Sequence, residues 1–479
     1  MKKVFLSIVL LVGLMLQTKS QTLTPEQLQA DFDLFRKALH EVHPQPYLYT
    51  SKSTFDSLFT ATRARLNQPM SQQGFYTSMT PLIAALHDGH MKWIVSGKDQ
   101  HYPFFTDQLF PLQLYFTGKK AWISGNYGST EVPLGAEVLS IDGKPVSDII
   151  EQLLPNITFA DGFTMQGKYE ELNHFFSGYY ATYITASPTY EVIFQDGIVQ
   201  KTITLPAVTE EMVKTYTEKN KPASQPPFRL TYPSSNTAIL TIERFWSGKN
   251  EPDYSKFLKE TFRQIEEKQI QHLVLDIRNN EGGEEKYGIE LYEYLAKQSF
   301  HYYDHIKVAR KEKISFAAWR PGIYDKLLRK LLVKKTANGY VFNYPKALKT
   351  TTSKRNAYKG DLLILVNGNS FSVTTEFSAR VHADKRATFI GQETAGGYRT
   401  NSSGLFTIVQ LPNSKIDLGI PMFGFQMANV PAEIQHGQGI VPDYIVTPAI
   451  EDIIKKRDKV MEYTLQLIGS KAAVLPASK

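Results

Sequence analysis

The sequence predicts an α/β domain over residues 229–450, preceded by a helical N-terminal domain and a β-rich domain. Three observations lead there. Twice in the second half of the chain a short apolar run gives way to a polar, glycine-containing turn and then to a helical pattern: 272–277 before 279–283, and 362–366 before 367–371. Between residues 22 and 100 apolar residues recur at three-four spacing. From 110 to 199 they alternate with polar ones in short runs broken by turns.

In chain order, Lys2 and Lys3 precede an uncharged apolar run over 4–16, and Thr18-Lys19-Ser20 stands before Gln21. The run is shorter than the ~20 residues a membrane-spanning helix needs, so residues 1–20 read as a signal peptide. No later stretch is long enough to span a membrane, and a periplasmic or secreted protein is expected. Thr24-Pro25-Glu26 opens a helix with Leu28, Phe32, Phe35, Leu39 and Val42 on one face. Helices follow over 53–66 and 72–86, the last ending in His87-Asp88-Gly89-His90, where Gly89 reads as a helix stop. These make the helical N-terminal domain, 22–100.

The β-rich domain covers 101–205, and within it 133–153 reads as a strand, an Asp142-Gly143 turn and a short helix. Residues 206–228 are polar, contain Pro222, Pro226 and Pro227, and read as a linker. In 229–450 a strand at 238–242 is followed by a helix at 254–267, with Phe257, Leu258, Thr261, Phe262 and Ile265 along one face. The strand at 272–277, a helix at 284–296 and the strand at 362–366 continue the alternation, which implies parallel pairing with sites beyond the strands' carboxyl ends. Residues 300–345 are an unassigned insertion, rich in aromatic and basic residues and positioned to cover such a site. It holds a basic helix candidate at 324–335 whose ordinary reading is a solvated face. Residues 451–479 comprise an amphipathic helix over 451–467 and a tail.

The chain has 479 residues, enough for two or three domains, and its 42% hydrophobic and 21% charged content excludes a disordered or fibrous chain. Its formal charge is +7; residues 1–20 hold three lysines and no acid, so the remainder carries +4. No basic run is interleaved with aromatics, which argues against nucleic acid as a partner. With no cysteine there is no disulfide, thiol nucleophile or lipid-anchor cysteine.

Ser372 falls where a strand becomes a helix. There a hydroxyl can stand exposed while unpaired N–H groups at the helix start point the same way; the plainer reading is a helix cap. His87 and His90 could be metal ligands three apart, but no HExxH pattern or third clustered ligand accompanies them, so two satisfied structural histidines are the default.

Asp276, Arg278, Asn279, Asn280, Gly282 and Gly283, taken with Asn369-Ser370-Phe371-Ser372, Glu376-Phe377 and Gly391 to Thr394, resemble the C-terminal processing (tail-specific) serine peptidases and their tricorn-type and retinoid-binding relatives. The resemblance covers about residues 230 to 450. It implies a catalytic domain of the ClpP/crotonase-like type and makes Ser372 the nucleophile. The 133–153 segment resembles the later half of a PDZ domain, which implies a module that holds peptide termini by strand addition, although a purely structural β domain is equally open. Leu86 to His90 resembles the segment that supplies the histidine base in tricorn-type members, which makes His90 the candidate base. Many tail-specific peptidases use a lysine instead, but Gly397 stands at that position.

A serine hydroxyl needs such a base within hydrogen-bond reach. The oxyanion donors implied are the amides of Val373 and of Gly282 or Gly283. The third member is open between Glu433, by proximity to the Gly439 segment, Asp88 and Glu393. The resemblance implies hydrolysis of a peptide or unfolded protein substrate, with no metal and no cofactor. A catalytically inactive binding protein on the same scaffold, for peptides or apolar ligands, is the alternative. The absence of G-x-S-x-G counts against an esterase of the α/β-hydrolase type.

Overall fold

The computed structural model describes residues 22–311, 313–319, 330–343 and 348–474. The expected signal peptide, much of the basic candidate at 324–335 and the last five residues lie outside the described residues.

The central layer is a six-stranded sheet. Its strands run in the order Phe228–Ser234, Thr237–Ile242, His272–Asp276, Asp361–Val366, Thr388–Gly391 and Tyr444–Ile445. Only the first pair is antiparallel; the others are parallel, as the strand-helix alternation predicts. Successive residues of these apolar strands face opposite cores. Leu273, Leu275, Leu362, Ile364 and Val366 pack with Leu258, Phe262 and Phe377, from helices Tyr254–Glu267 and Val373–Ala383. Val274, Leu363, Leu365 and Ile390 pack with Val460 and Ile468 of helix Lys459–Val474. Burial on both faces explains why the strands read as unbroken hydrophobic runs.

A second sheet joins Val333–Thr336, Gly339–Phe342, Tyr303–Val308, Ile416–Met427 and Thr400–Gln410, so the described parts of the 300–345 insertion are strands and loops apart from a helical turn at 330–332. Lys92–Val95 adds to it antiparallel, with Trp93 opposite Leu418 and Val95 opposite Ile416. Residues 22–100 are therefore not packed as a separate domain. Helices Pro25–Val42, Lys52–Arg65 and Gln72–Ala84 share one continuous core with the second sheet, in which Phe32, Phe35 and Trp93 meet Leu418 and Ile420. The helix pattern is legible in sequence, whereas a four-residue strand at its end is too short to register against a periodicity.

A third sheet runs Leu112–Thr117, Lys120–Asn126, Glu137–Ile141, Thr189–Asp196 and Val199–Pro206, with a core of its own. Asp142 and Gly143 both have positive φ (49° and 73°), the backbone a two-residue hairpin turn requires. The expected linker over 206–228 contains instead a helix, Glu210–Asn220. Thr209 caps it by accepting from Met212 N at 3.2 Å, and Val213 buries against Leu109 and Val208. Its acidic first turn and Lys219 in the last suit the helix dipole; one buried apolar position was too little signal to mark it. Two further expectations change: of the helix candidate at 324–335, residues 330–332 are helical but 333–335 belong to strand Val333–Thr336, and the single helix expected over 451–467 is two, Ile450–Ile454 and Lys459–Val474.

Because Ile364 is fully buried at the centre of the parallel sheet, Ile364→Ala is expected to cost ~2–5 kcal/mol, read as a lower midpoint in chemical denaturation without a change in slope.

Candidate active site

Two turns at the carboxyl ends of neighbouring strands are clasped together. Asn279 N donates to Asn367 Oδ1 (2.9 Å) and Asn367 Nδ2 donates back to Asn279 Oδ1 (2.7 Å). Ser370 Oγ donates to Ile277 O (3.1 Å) and Phe371 N to Asn280 O (3.1 Å). Behind the first turn Arg278 grips Asp276 (2.6 Å) and Asp458 (2.7 Å), so these charges hold the turn. The clasp presents Ser372 at the start of helix Val373–Ala383 with φ 54° and ψ −127°, a conformation side chains other than glycine rarely take. Ser372 makes no capping bond to its own helix. Its Oγ instead lies 3.0 Å from His90 Nε2.

His90 arrives on the loop between helix Gln72–Ala84 and strand Lys92–Val95. Its ring stacks on Phe371 with centroids 4.4 Å apart, and only 8% of the residue is exposed. Burial lowers its pKa to about 4, partly opposed by the charge of Asp88 and reinforced by Lys92. Its Nδ1 is buried and has no hydrogen-bond partner among the described residues. Gly89 is required by close approach, since a Cβ there would stand 2.8 Å from both Ala160 N and the Phe371 ring.

Two buried carboxylates sit against this loop. Asp88 Oδ1 accepts from His90 N (2.9 Å) and its Oδ2 from His43 Nε2 (2.9 Å). Asp161 comes from the loop before helix Gln166–Tyr183 and accepts from Gly89 N (2.9 Å) and Gly397 N (3.2 Å). Burial and the neighbouring Asp88 push Asp161 well above the usual carboxylate range. Asp88 resists the upward push of burial and ends below its usual value, chiefly through the His43 hydrogen bond. Ligand atoms of Asp88, His90 and Asp161 lie within 4.8 Å of one another, the one such group among the described residues. All four carboxylate oxygens accept N–H donors of the protein, so the two carboxyls cradle the loop. Sequence reading missed His43 and Asp161: one ends a helix, the other lies in the β-rich unit, and neither sits in a motif.

Of the expected oxyanion donors, Gly282 is corrected. Its N–H is committed to Asn280 Oδ1 at 2.9 Å, whereas the amides of Gly283 and Val373 have no hydrogen-bond partner among the described residues. Gly282 serves by lacking a side chain: a Cβ would stand 2.7 Å from Ser372 Cβ. Gly283, Ser372, Val373 and His90 line a cavity of about 400 Å³ together with Phe342, Phe406, Phe423 and Phe425. Glu376, one turn beyond Ser372, also lines it. Burial pushes its carboxyl up to about 7, against the hydrogen bonds from Tyr303 Oη and Asn401 Nδ2.

Glu433, offered as a possible acid, is also corrected: it is exposed, and its field falls on His382 and Tyr398. Arg399 holds the carbonyls of Ala432 and Ile434 and so keeps this loop turned outward. Glu393 accepts from Gly439 N at 2.9 Å and braces that loop. At the position where a lysine base would stand, a Cβ on Gly397 would meet Thr400 O and Tyr49 Oη at 2.9 Å each, which leaves no room for a side chain.

Residues 236–446 match the model of Peptidase family S41. No curated protein sequence matches the chain. Among solved structures the chain is similar to mature CPAF, with 14% identity and a TM-score of 0.62 over 94% of this chain and 99% of that one. It is also similar to mature CPAF complexed with lactacystin, with 14% identity and a TM-score of 0.61 over 93% and 99%. At such identities the likeness is one of fold.

Gly282→Ala would set a methyl against Ser372 at a φ of 102°. The variant is expected to keep its circular dichroism spectrum while Ser372 loses reactivity by ~10²-fold or more, the scale of a ~1 Å displacement of a reacting group.

Proposed function

The domain at residues 236–446 belongs to Peptidase family S41, which makes the chain a serine-type peptidase, and we propose that Ser372 is its nucleophile and His90 its general base. The observation that carries this reading is the 3.0 Å contact between His90 Nε2 and Ser372 Oγ, 282 positions apart in sequence. In the scheme, Ser372 Oγ attacks the substrate carbonyl carbon while His90 Nε2 takes the hydroxyl proton. The amides of Val373 and Gly283 receive the developing oxyanion, and His90 returns the proton to the leaving amine. Water then repeats the cycle on the acyl-enzyme. Each step uses groups of this chain, the substrate and water, with no organic cofactor.

The 400 Å³ cavity beside Ser372, with four phenylalanines in its lining, suits a peptide or unfolded protein with an apolar side chain next to the scissile bond. The β-rich unit, with its Asp142-Gly143 hairpin, supports a PDZ-like module. The Lys2-Lys3 pair and the apolar run after it support secretion or a periplasmic location. A non-catalytic binding protein on the same scaffold is disfavoured by the close nucleophile–base contact, which apolar ligand binding does not need.

A fluorophosphonate probe tests the assignment. Wild-type protein is expected to label, Ser372→Ala not at all, and His90→Gln ~10²–10⁴-fold more slowly. Labelling that persists in Ser372→Ala would overturn the proposal. The pH profile follows from the neutral imidazole being the competent form. With a pKa held to about 4 by burial, the labelling rate of the wild type is expected to stay level from pH 7 towards 5 and to fall with a midpoint near 4. A midpoint at 6.5 or above would contradict a buried base.

A further inference from the structure

We propose that His43 and Asp88 form a positioning pair that acts on His90 from behind, and that His43 keeps Asp88 the charged member of the buried carboxylates. The inference rests on the Ser372–His90 reading above. A base of this kind is ordinarily steered by an acid on its far nitrogen, yet His90 Nδ1 has no partner among the described residues and Glu433 is exposed. What holds His90 is Asp88, whose Oδ1 takes the His90 backbone amide at 2.9 Å.

Asp88 is itself oriented by His43, only 3% exposed, and the geometry fixes the proton. Gln45 N donates to His43 Nδ1 at 3.2 Å, so Nδ1 is the acceptor and Nε2 carries the hydrogen given to Asp88 Oδ2. His43 is also the residue that closes helix Pro25–Val42, its amide bonded to Leu39 O, which makes it a fixed donor. The side chains facing the imidazole are Asp88 from its own loop, Lys92 from the adjoining strand, Asp161 from the β-rich unit and Ser372 from the helix start.

Asp88 and Asp161 share a dry site in which two full charges would repel. Among the described residues each carboxyl receives two N–H donors; both of those on Asp161 are backbone amides, whereas one of those on Asp88 is the His43 imidazole, and that difference in donor decides which carboxyl stays ionised. The directions agree: Asp161 is pushed up and Asp88 held down. The Asp88 charge then supports the imidazolium that forms when His90 takes the Ser372 proton.

Fluorophosphonate labelling separates this from a merely structural role, because it resolves the rate of reaction from probe affinity. His43→Phe and Asp88→Asn are each expected to lower the maximal labelling rate about ten- to hundred-fold with probe affinity unchanged, the scale of a lost hydrogen bond to a charged group. The double variant is expected to be no slower than the slower single one, since both remove the same interaction. His43→Gln, whose amide can donate to Asp88, is expected to recover most of the rate.

Additive losses, or a His43→Gln no faster than His43→Phe in samples with the same melting temperature, would overturn the inference. Should His43→Phe fail to fold, the near-isosteric Asp88→Asn decides: labelling within threefold of wild type would sink it. A wild type that does not label, or labels without Ser372, would instead refute the reading on which it rests.

Discussion

The antiparallel pairing of Lys92–Val95 with Ile416–Met427 carries a histidine from the first hundred residues to a serine in the last quarter of the chain. His90 stands two residues before that strand, so its Cα cannot move without pulling the register of four paired positions. Phe32, Phe35 and Trp93 pack the helical segment onto the same sheet and give the pairing an apolar core. Main-chain ladder and hydrophobic burial thus act on the same few residues. The loop of His87 to His90 is then pinned from its third side by the β-rich unit, through Gly162 N to His87 O and the Asp161 carboxyl to Gly89 N.

The opposing half of the site is held by a different device. Ser372 keeps a backbone that costs about 1–3 kcal/mol, and the surrounding hydrogen bonds over-determine it. The Asn279–Asn367 exchange ties two turns that belong to adjacent parallel strands. Both strands are sealed on each face by apolar side chains, so the turns cannot part without exposing core. A strained serine is affordable only on such a support, and Gly282 lets the 279–283 turn come within reach of it.

What was legible in the sequence follows from how far each interaction reaches along the chain. The apolar runs at 272–277 and 362–366 and their glycine turns are local, and the parallel sheet follows from them. Thr24 and Pro25 announce the first helix, which has the Thr24–Gln27 capping box and begins at Pro25. Ser372, His90 and the glycine turn belong to motifs whose residues are neighbours, so their candidacy could be read directly. The merging of 22–100 into the second sheet could not be read, because Trp93 and Leu418 lie more than three hundred positions apart and neither carries a pattern. Asp161 and His43 were hidden for the same reason: an aspartate in a loop and a histidine after a helix are ordinary until folding buries them beside His90. Glu433 shows the converse, where proximity to a motif suggested a role that the loop's outward turn does not permit.

A base with a pKa near 4 is always free of its proton at neutral pH, but it is also a weak base, and the two effects have to be weighed together. Burial that disfavours the imidazolium in the resting site also excludes water, so any charge facing the ring acts with little screening. In the proposed mechanism Asp88 is such a charge, and its influence would be greatest at the moment His90 becomes positive. That makes it a differential interaction, weak towards the neutral ring and strong towards the cation, which is the kind that lowers a barrier rather than a ground state. Asp161, whose carboxyl burial and Asp88 push upward, ties the loop through two backbone amides. On the proposed mechanism the same buried site therefore depresses the base at rest and would let one well-placed carboxylate support it during reaction.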